Sequence, residues 1–152
     1  MNNQLTEEDI KKLREEVAYR NTKLRFEIAK EKMVAAAFGD RSENAEYKAA
    51  SQRYYENNRR IAYLTRMIKS SVEVATIIDK DKVSIGSTVK IKFLDSDETD
   101  EITLDTIVNA DPIESIISID SPLGRAIIGK SIGDIVNVEF PDGLHSIEIL
   151  SL

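Results

Sequence analysis

The N-terminal half of the chain carries apolar side chains at the spacing of two amphipathic helices. Between residues 6 and 38 they recur every three or four positions: Ile10, Leu13, Val17, Leu24, Ile28, Ala35 and Phe38. Between residues 43 and 69 three- and four-residue steps alternate strictly: Tyr47, Ala50, Tyr54, Asn57, Ile61, Leu64 and Ile68. This spacing places the side chains on one helix face, and strict alternation is the coiled-coil pattern. The pattern therefore predicts two helices that bury these faces against each other, the first with Thr6 as its N-cap.

The two series match as the arms of one antiparallel hairpin. In such a hairpin the residue numbers of facing positions have a nearly constant sum, a condition met by pairs such as Leu13 with Ile68 and Val17 with Leu64. The chain then folds back near residue 40 or 41, and arms of about 29 residues at roughly 1.5 Å each give a projection about 43 Å long. Three polar residues are predicted to interrupt the seam and set its register: Asn21, Glu31 and Asn57.

From Val72 onward the pattern changes to alternation and to runs rich in Ile and Val, which are typical of strands. The runs are VEVATIID, STVKIKFLD, EITLDTIV, ESIISID, DIVNVEF and HSIEIL. One short helix is predicted in SPLGRAIIGK, with Ser121 as cap, Pro122 at the first helical position and Gly129 at the end. The fold class is therefore α+β, with a coiled-coil hairpin domain at residues 1–73 and a small, mostly antiparallel β-rich domain at 74–152.

Composition excludes several classes of chemistry. The 152 residues are 41 % hydrophobic and 32 % charged, as in a folded protein, and a polar N-terminus without a long apolar run predicts a cytoplasmic protein with no membrane partner. The absence of Cys excludes disulfides, thiolate zinc sites and Cys nucleophiles. The single histidine, His145, follows a PDG turn in an alternating run and is predicted to be a surface residue rather than a base.

Charge divides along the chain. Through Val72 there are 15 basic and 11 acidic residues, a net +4, whereas the remainder has 6 basic and 16 acidic, a net −10. The first part can approach nucleic acid, and the second would repel it but could meet a basic protein surface.

The stretch FGDRSENAEYKAA, residues 38–50, joins the two predicted helices and carries three acids. Asp40 and Glu43 fit a capping box, in which Asp40 caps the second helix and Glu43 reaches back to it. Alternatively Ser42 is the cap, and the two carboxylates bind one face of a Mg²⁺ ion whose remaining ligands come from a partner. Glu46 is interpreted as a first-turn acid that favours the helix dipole.

These motifs resemble those of the bacterial GreA/GreB transcript cleavage factors. The matching segments are GDRSENAEYKAA at 39–50, IID at 77–79, LDSDE at 94–98 and SPLGRAIIGKSIGD at 121–134. They follow the family's order over nearly the whole chain. The resemblance implies a coiled-coil hairpin followed by an FKBP-like domain that docks on RNA polymerase, with Ser121 and Pro122 in the docking segment.

The resemblance also implies a function. The hairpin of such factors enters the secondary channel of RNA polymerase, where the tip acids, Asp40 and Glu43 here, help to hold a Mg²⁺ ion and orient a water. The polymerase then cuts its own backtracked RNA, so the factor, expected to be a monomer, stimulates catalysis without being an enzyme. Ser42 and Asn44 are expected to form the turn, and Tyr47 to pack in the seam.

One departure from the family leaves an alternative open. Family hairpins carry basic residues near the tip that meet the nascent RNA 3′ end, but this arm ends AAAF at residues 35–38. Arg41, Lys48 and Arg53 are close enough to substitute as contacts to RNA or polymerase. The alternative is a Gre-like paralogue that occupies the channel and modulates or inhibits polymerase without cleavage. A prolyl isomerase or chaperone is disfavoured because the β-rich part has no Trp and few aromatic residues.

Overall fold

The computed structural model describes residues 3–39, 44–76 and 79–152. The chain divides into two compact units: Glu8–Ser71 forms one, and the N-terminal segment up to Glu7 joins Val72–Leu152 in the other. The sequence pattern predicts a domain boundary after residue 73. In the structure the segment before Glu8 belongs to the β-rich unit, because the strand Asn3–Leu5 pairs with the strand Ser71–Glu73.

The helical unit is an antiparallel hairpin. Its elements are α1 (Glu7–Tyr19), a π-helical turn (Arg20–Leu24), α2 (Arg25–Ala36) and α3 (Ala45–Lys69). Contacts between the arms run in opposite chain directions, from Glu16 with Arg60, through Glu31 with Arg53, to Ala35 with Asn44. On α3 all seven predicted seam positions are buried or half-buried, so the predicted coiled-coil face is confirmed.

The first arm differs from the prediction at the π-helical turn. Leu13 and Ile28 are both buried and lie fifteen positions apart, one more than two heptads. A π-helical turn takes up one additional residue, so Arg20–Leu24 returns the following helix to the seam. The predicted seam residue Asn21 is consequently exposed, and Arg20 is half-buried in its place. Glu31 is also exposed, so two of the three predicted polar interruptions are wrong.

The third polar interruption, Asn57, is confirmed and has specific partners at the π-helical turn. Its side chain is 3 % exposed, accepts a hydrogen bond from Arg20 Nη1 at 3.2 Å and donates one to the Arg20 carbonyl at 3.0 Å. Arg20 and Arg60 both donate to Glu16 Oε2, at 2.8 and 3.1 Å. Partial burial opposes ionisation of Glu16, but hydrogen bonds from Arg60 and Arg20 outweigh it and lower the pKa of that carboxyl. The side chains of Asn57, Arg20, Arg60 and Glu16 thus satisfy one another, whereas the buried Nε of Arg25, directly after the turn, has no hydrogen-bond partner.

The β-rich unit contains a five-stranded sheet in the order β5-β4-β3-β7-β6. The described strands are β1 (Asn3–Leu5), β2 (Ser71–Glu73), β3 (Thr88–Phe93), β4 (Thr99–Asp105), β5 (Ile116–Ser118), β6 (Ile135–Phe140) and β7 (Gly143–Ser151). All neighbours in the sheet are antiparallel except β4 and β5, which are parallel. The mostly antiparallel sheet is therefore confirmed, although the described part of the run VEVATIID contributes only to the short β2, which pairs with β1 outside this sheet.

The short helix α4 (Pro122–Ile127) is confirmed with the predicted signals at both ends. Ser121 Oγ accepts a hydrogen bond from the Gly124 N–H at 3.0 Å, and Gly129 follows the helix at φ +76°. Ile127 at its end is fully buried in the core formed by the inward residues of the sheet. None of the helices in the described part of the chain is long and apolar enough to span a membrane.

Candidate functional site at the hairpin tip

The predicted site lies at the tip, between the end of α2 and the start of α3. Asp40, Arg41, Ser42 and Glu43 fall outside the described residues, so the structure places only what flanks them. On one side α2 ends at Ala36 and is followed by Gly39 at φ +142°, a conformation that favours glycine. On the other side α3 begins at Ala45, directly after Asn44.

Asn44 holds both sides of the tip. Its extended backbone places it as the N-cap of α3, with Oδ1 accepting from the Tyr47 N–H at 3.0 Å. Its Nδ2 donates to the carbonyl of Ala35, in the last turn of α2, at 2.6 Å. One amide side chain therefore caps the second arm and ties it to a carbonyl of the first.

The position of this cap corrects both predicted caps. A cap directly precedes the first helical residue, so neither Asp40 nor Ser42 caps a helix that begins at Ala45. Asn is as strong an N-cap as Asp or Ser, and the sequence offered all three within five positions. The capping box of Asp40 with Glu43 is thereby excluded, and α3 begins without needing either carboxylate. Glu46 lies in the first turn, as predicted.

Two of the cations described near the tip, Arg53 and Lys32, make contacts within the hairpin. Arg53, predicted to meet RNA or polymerase, pairs with Glu31 across the seam, and both side chains are about half exposed. An exposed pair of this kind contributes only about 0–1 kcal/mol, so it does not prevent Arg53 from exchanging partners. Lys32 Nζ lies 5.8 Å from the Tyr47 ring centroid and 5.2 Å from that of Tyr54. Lys48 is exposed on α3.

Apolar side chains project to solvent at the end of the first arm. Phe38 is 76 % exposed, Met33 71 % and Val34 51 %. Residues 33–39 include no charged side chain. The surface that leads to the predicted acids on this arm is therefore apolar.

The magnesium site predicted at the tip stays a prediction, because Asp40 and Glu43 lie outside the described residues. Among the described residues no group of three or more His, Cys, Asp or Glu side chains is arranged to hold a metal ion. Asp40 and Glu43 add two carboxylates between the arms, which is the number that Mg²⁺ takes when it keeps waters and shares other ligands. Any such ion needs further ligands from a partner.

The predicted docking residues Ser121 and Pro122 start α4. Besides capping the helix, Ser121 Oγ donates to the Ser118 carbonyl at 2.6 Å, whereas Pro122 is exposed. Beside them, Asp120 accepts hydrogen bonds from the backbone and side chain of Gln4, both at 3.3 Å. The segment is thus a rigid corner with Pro122 on its surface.

Comparison with known proteins agrees with this architecture in both halves. Residues 3–72 match the family model described as "Transcription elongation factor, N-terminal", and residues 78–152 match "Transcription elongation factor, GreA/GreB, C-term". The chain belongs to the GreA/GreB family of transcription elongation factors. The resemblance inferred from the motifs is therefore confirmed.

Individual relatives of this GreA/GreB chain span nearly its full length. Transcription elongation factor GreA of Clostridium novyi (strain NT) is 42 % identical over 149 residues, covering 97 % of this chain and 94 % of that protein. GreA of Thermoanaerobacter pseudethanolicus (strain ATCC 33223 / 39E) is 42 % identical over 153 residues, covering 97 % and 95 %. A solved structure of the transcription factor Gfh1 is similar in fold, with a TM-score of 0.50, 20 % identity and coverage of 99 % and 97 %.

In this GreA/GreB chain, two substitutions of Asn44 should separate the effects of its two hydrogen bonds. We expect Asn44→Ala to reduce the free energy of unfolding by about 1 kcal/mol or more, because it removes the cap and the tie to Ala35. Asn44→Asp keeps the oxygen that caps α3 but lacks the N–H that binds Ala35. Amide exchange should therefore show the start of α3 protected in the Asp variant and exposed in the Ala variant. Equal exchange in both variants would contradict the assigned cap.

His145, away from the tip, is more constrained than its predicted surface position implied. Its side chain is only 21 % exposed, with Nδ1 2.8 Å from Asp95 Oδ2 and Nε2 2.9 Å from Asp142 Oδ1. The rings of Phe93 and Phe140 pack edge-on against it, with centroids at 6.2 and 5.4 Å. Hydrogen bonds to Asp142 and Asp95 raise the pKa of the imidazole above its ordinary 6.5.

This arrangement predicts a stability that depends on pH. Because folding raises the pKa of His145, its contribution is fully present below pH 6.5 and is lost as the pH rises through the raised value. The difference in unfolding free energy between wild type and His145→Gln should therefore shrink from acidic to alkaline pH. The chain has one histidine, so an NMR titration assigns its pKa without ambiguity. Asp142→Asn should move that pKa back toward 6.5, and an unchanged pKa would refute the assigned cause.

Proposed function

We propose that the hairpin enters the secondary channel of RNA polymerase and stimulates the polymerase to cut its own backtracked RNA. The observation that carries this proposal is the cap at Asn44, which leaves Asp40 and Glu43 between the two arms without a role in starting α3. Binding a ligand that another molecule supplies is the role that suits two carboxylates at this place in the sequence.

Asp40 and Glu43 would act as ligands and as acceptors for a water. When bound, a Mg²⁺ ion shared with the polymerase active centre supplies charge neutralisation and activates water for phosphodiester hydrolysis. The carboxylate oxygens not used for ligation can accept a hydrogen bond from the attacking water and so orient it. Asn44 limits how far the turn that carries both acids can move, because it joins α3 to the Ala35 carbonyl.

The β-rich part would hold the factor on the polymerase. Its net charge of −10, counted after Val72, suits a basic protein surface and repels nucleic acid. Pro122, exposed beside the capped corner at Ser121, is the proposed contact. Arg41, Lys48 and Arg53 would meet the nascent RNA 3′ end or the polymerase nearer the tip. The factor would act as a cytoplasmic monomer and would not be an enzyme by itself.

Stalled, backtracked transcription complexes with radiolabelled RNA test this function. Addition of the protein with Mg²⁺ should release a 3′ RNA fragment and allow the polymerase to resume from the new end. The polymerase alone and the polymerase with heat-denatured factor set the background. If the folded protein binds the complexes and releases no RNA above that background, the proposal is refuted.

A second function is favoured by the apolar end of the first arm. Residues 33–39 lack the basic side chains that would contact RNA, and Phe38 projects to solvent there. A factor that occupies the channel without cleavage would slow nucleotide addition in active complexes and leave backtracked RNA intact. Slower extension without fragment release would establish this second function over the first.

A further inference from the structure

Phe38 has the most exposed aromatic side chain among the described residues, at 76 %. Its backbone is held in place, because its N–H donates to the Ala35 carbonyl at 3.1 Å as the first arm ends. Exposing an aromatic ring to water at a fixed position is unfavourable for the isolated protein. The ring at this position is therefore available for a contact with another molecule.

The position of Phe38 in the chain relates it to the proposed metal ligands. Asp40 follows two residues later, and two residues span at most about 7 Å. A group held by Asp40 would consequently lie within reach of the Phe38 ring. If Asp40 and Glu43 act at a scissile phosphate, the bases on either side of that phosphate are the nearest flat surfaces.

The end of the first arm itself offers little charge for the recognition of phosphates. Residues 33–39 carry no cation, and Nζ of Lys32, which precedes them, lies over the rings of Tyr47 and Tyr54. An aromatic ring binds single-stranded RNA in another way, by stacking on a base, and does so with little dependence on sequence. Backtracked RNA of any sequence could be held by such a contact.

We propose that Phe38 stacks on a base of the RNA next to the bond that is cut and so sets which nucleotide is presented to Asp40 and Glu43. This inference rests on the proposed function, because that function identifies RNA as the molecule bound at the tip. It adds a residue that recognises the substrate and a kind of contact, aromatic stacking, in place of the basic contacts expected at this arm.

Four substitutions at or near Phe38 test the contact in the cleavage assay. Phe38→Ala and Phe38→Leu should each lower the rate of RNA release about tenfold, because both remove the aromatic face. Phe38→Tyr should keep the wild-type rate. Phe26→Ala is the matched control, since Phe26 is 71 % exposed on the same arm, in α2, but twelve residues further from the tip. A Leu variant as fast as wild type would overturn stacking and favour an apolar contact with the polymerase.

The RNA itself provides the complementary test. An RNA that lacks the base at the nucleotide next to the cut should be cleaved slowly by wild type and no more slowly by Phe38→Ala. If Phe38→Ala still reduces the rate about tenfold on this RNA, the ring contacts something other than that base. Either outcome is measured against the same complexes with the base present.

A crosslinking measurement separates this inference from the proposed function. Complexes with 4-thiouridine at the RNA 3′ end are irradiated with the Asp40→Asn, Glu43→Gln variant, which should leave the RNA uncut. The crosslink should map to residues 33–39 and weaken with Phe38→Ala. A crosslink there with no cleavage by wild type would refute the proposed function and support the base contact. Cleavage with crosslinks to the polymerase alone would support the function and refute the contact.

Discussion

Replacing Asp40 by Asn and Glu43 by Gln should remove the stimulation of RNA cleavage by at least about 100-fold. Amides keep the size of the carboxylates but are neutral and bind Mg²⁺ weakly. Even residues that only support metal ligands change affinity or activity by about 10–100-fold, so removal of two ligands should have a larger effect. The measurement is the maximum rate of fragment release at saturating factor. The factor concentration for half-maximal effect should stay the same, because the acids are not proposed to hold the factor on the polymerase.

Two controls distinguish loss of a ligand from loss of the fold. Glu46→Gln removes an exposed acid from the first turn of α3 and should change the rate by less than about twofold. The double variant should keep the thermal stability of wild type, because Asn44 caps α3 without help from either acid. Each single variant should regain part of its rate as the Mg²⁺ concentration is raised, which a misfolded tip would not do. Undiminished cleavage by the double variant would exclude a role for these carboxylates.

The sequence predicts the seam of α3 better than that of the first arm, and the reason is physical. Strict alternation on α3 leaves one face to bury, whereas Val17 and Leu24 lie seven positions apart and fit a straight helix as well as one with a π-helical turn. In the structure Arg20, at the start of the turn, binds Asn57 on the other arm, and this long-range interaction has no local signal in the sequence. The additional residue between Leu13 and Ile28 was visible only once the buried positions were known.

The candidate site shows the same limit at shorter range. The motif located the tip and its acids, but three good capping residues within five positions left the start of α3 ambiguous. In the structure the cap is Asn44, whose amide also binds the Ala35 carbonyl, a partner on the other arm. Strand β1 was missed for a related reason: three residues of mixed polarity carry no periodicity, and only pairing with β2 makes them a strand.

Gly124 in the SPLGRAIIGK segment should be the least replaceable glycine of the β-rich unit. A Cβ atom at this position would lie 2.2 Å from the Ser118 carbonyl oxygen and 2.9 Å from Ile119 Cα. Both are backbone atoms, and the Ile119 N–H is bound to the Asp105 carbonyl at 2.8 Å, so β5 cannot easily retreat. Gly124→Ala should therefore lower the free energy of unfolding of this unit by about 1–3 kcal/mol or more, as overpacking does.

Gly129→Ala is the matched comparison for this prediction, because its Cβ would meet no atom within 4 Å and only its φ of +76° is unfavourable for alanine. We expect that variant to lower the free energy of unfolding by about 1 kcal/mol.

Amide exchange of β3 and β4 should detect both changes. The chain's five tyrosines, Tyr19, Tyr47, Tyr54, Tyr55 and Tyr63, all lie in Glu8–Ser71, so their fluorescence follows the hairpin separately. Gly124→Ala should lower the protection of the strands more than Gly129→Ala does, and leave the tyrosine signal of the folded hairpin in place. If the two alanine variants are equally stable, close packing of α4 on the end of β5 is not what requires glycine at position 124.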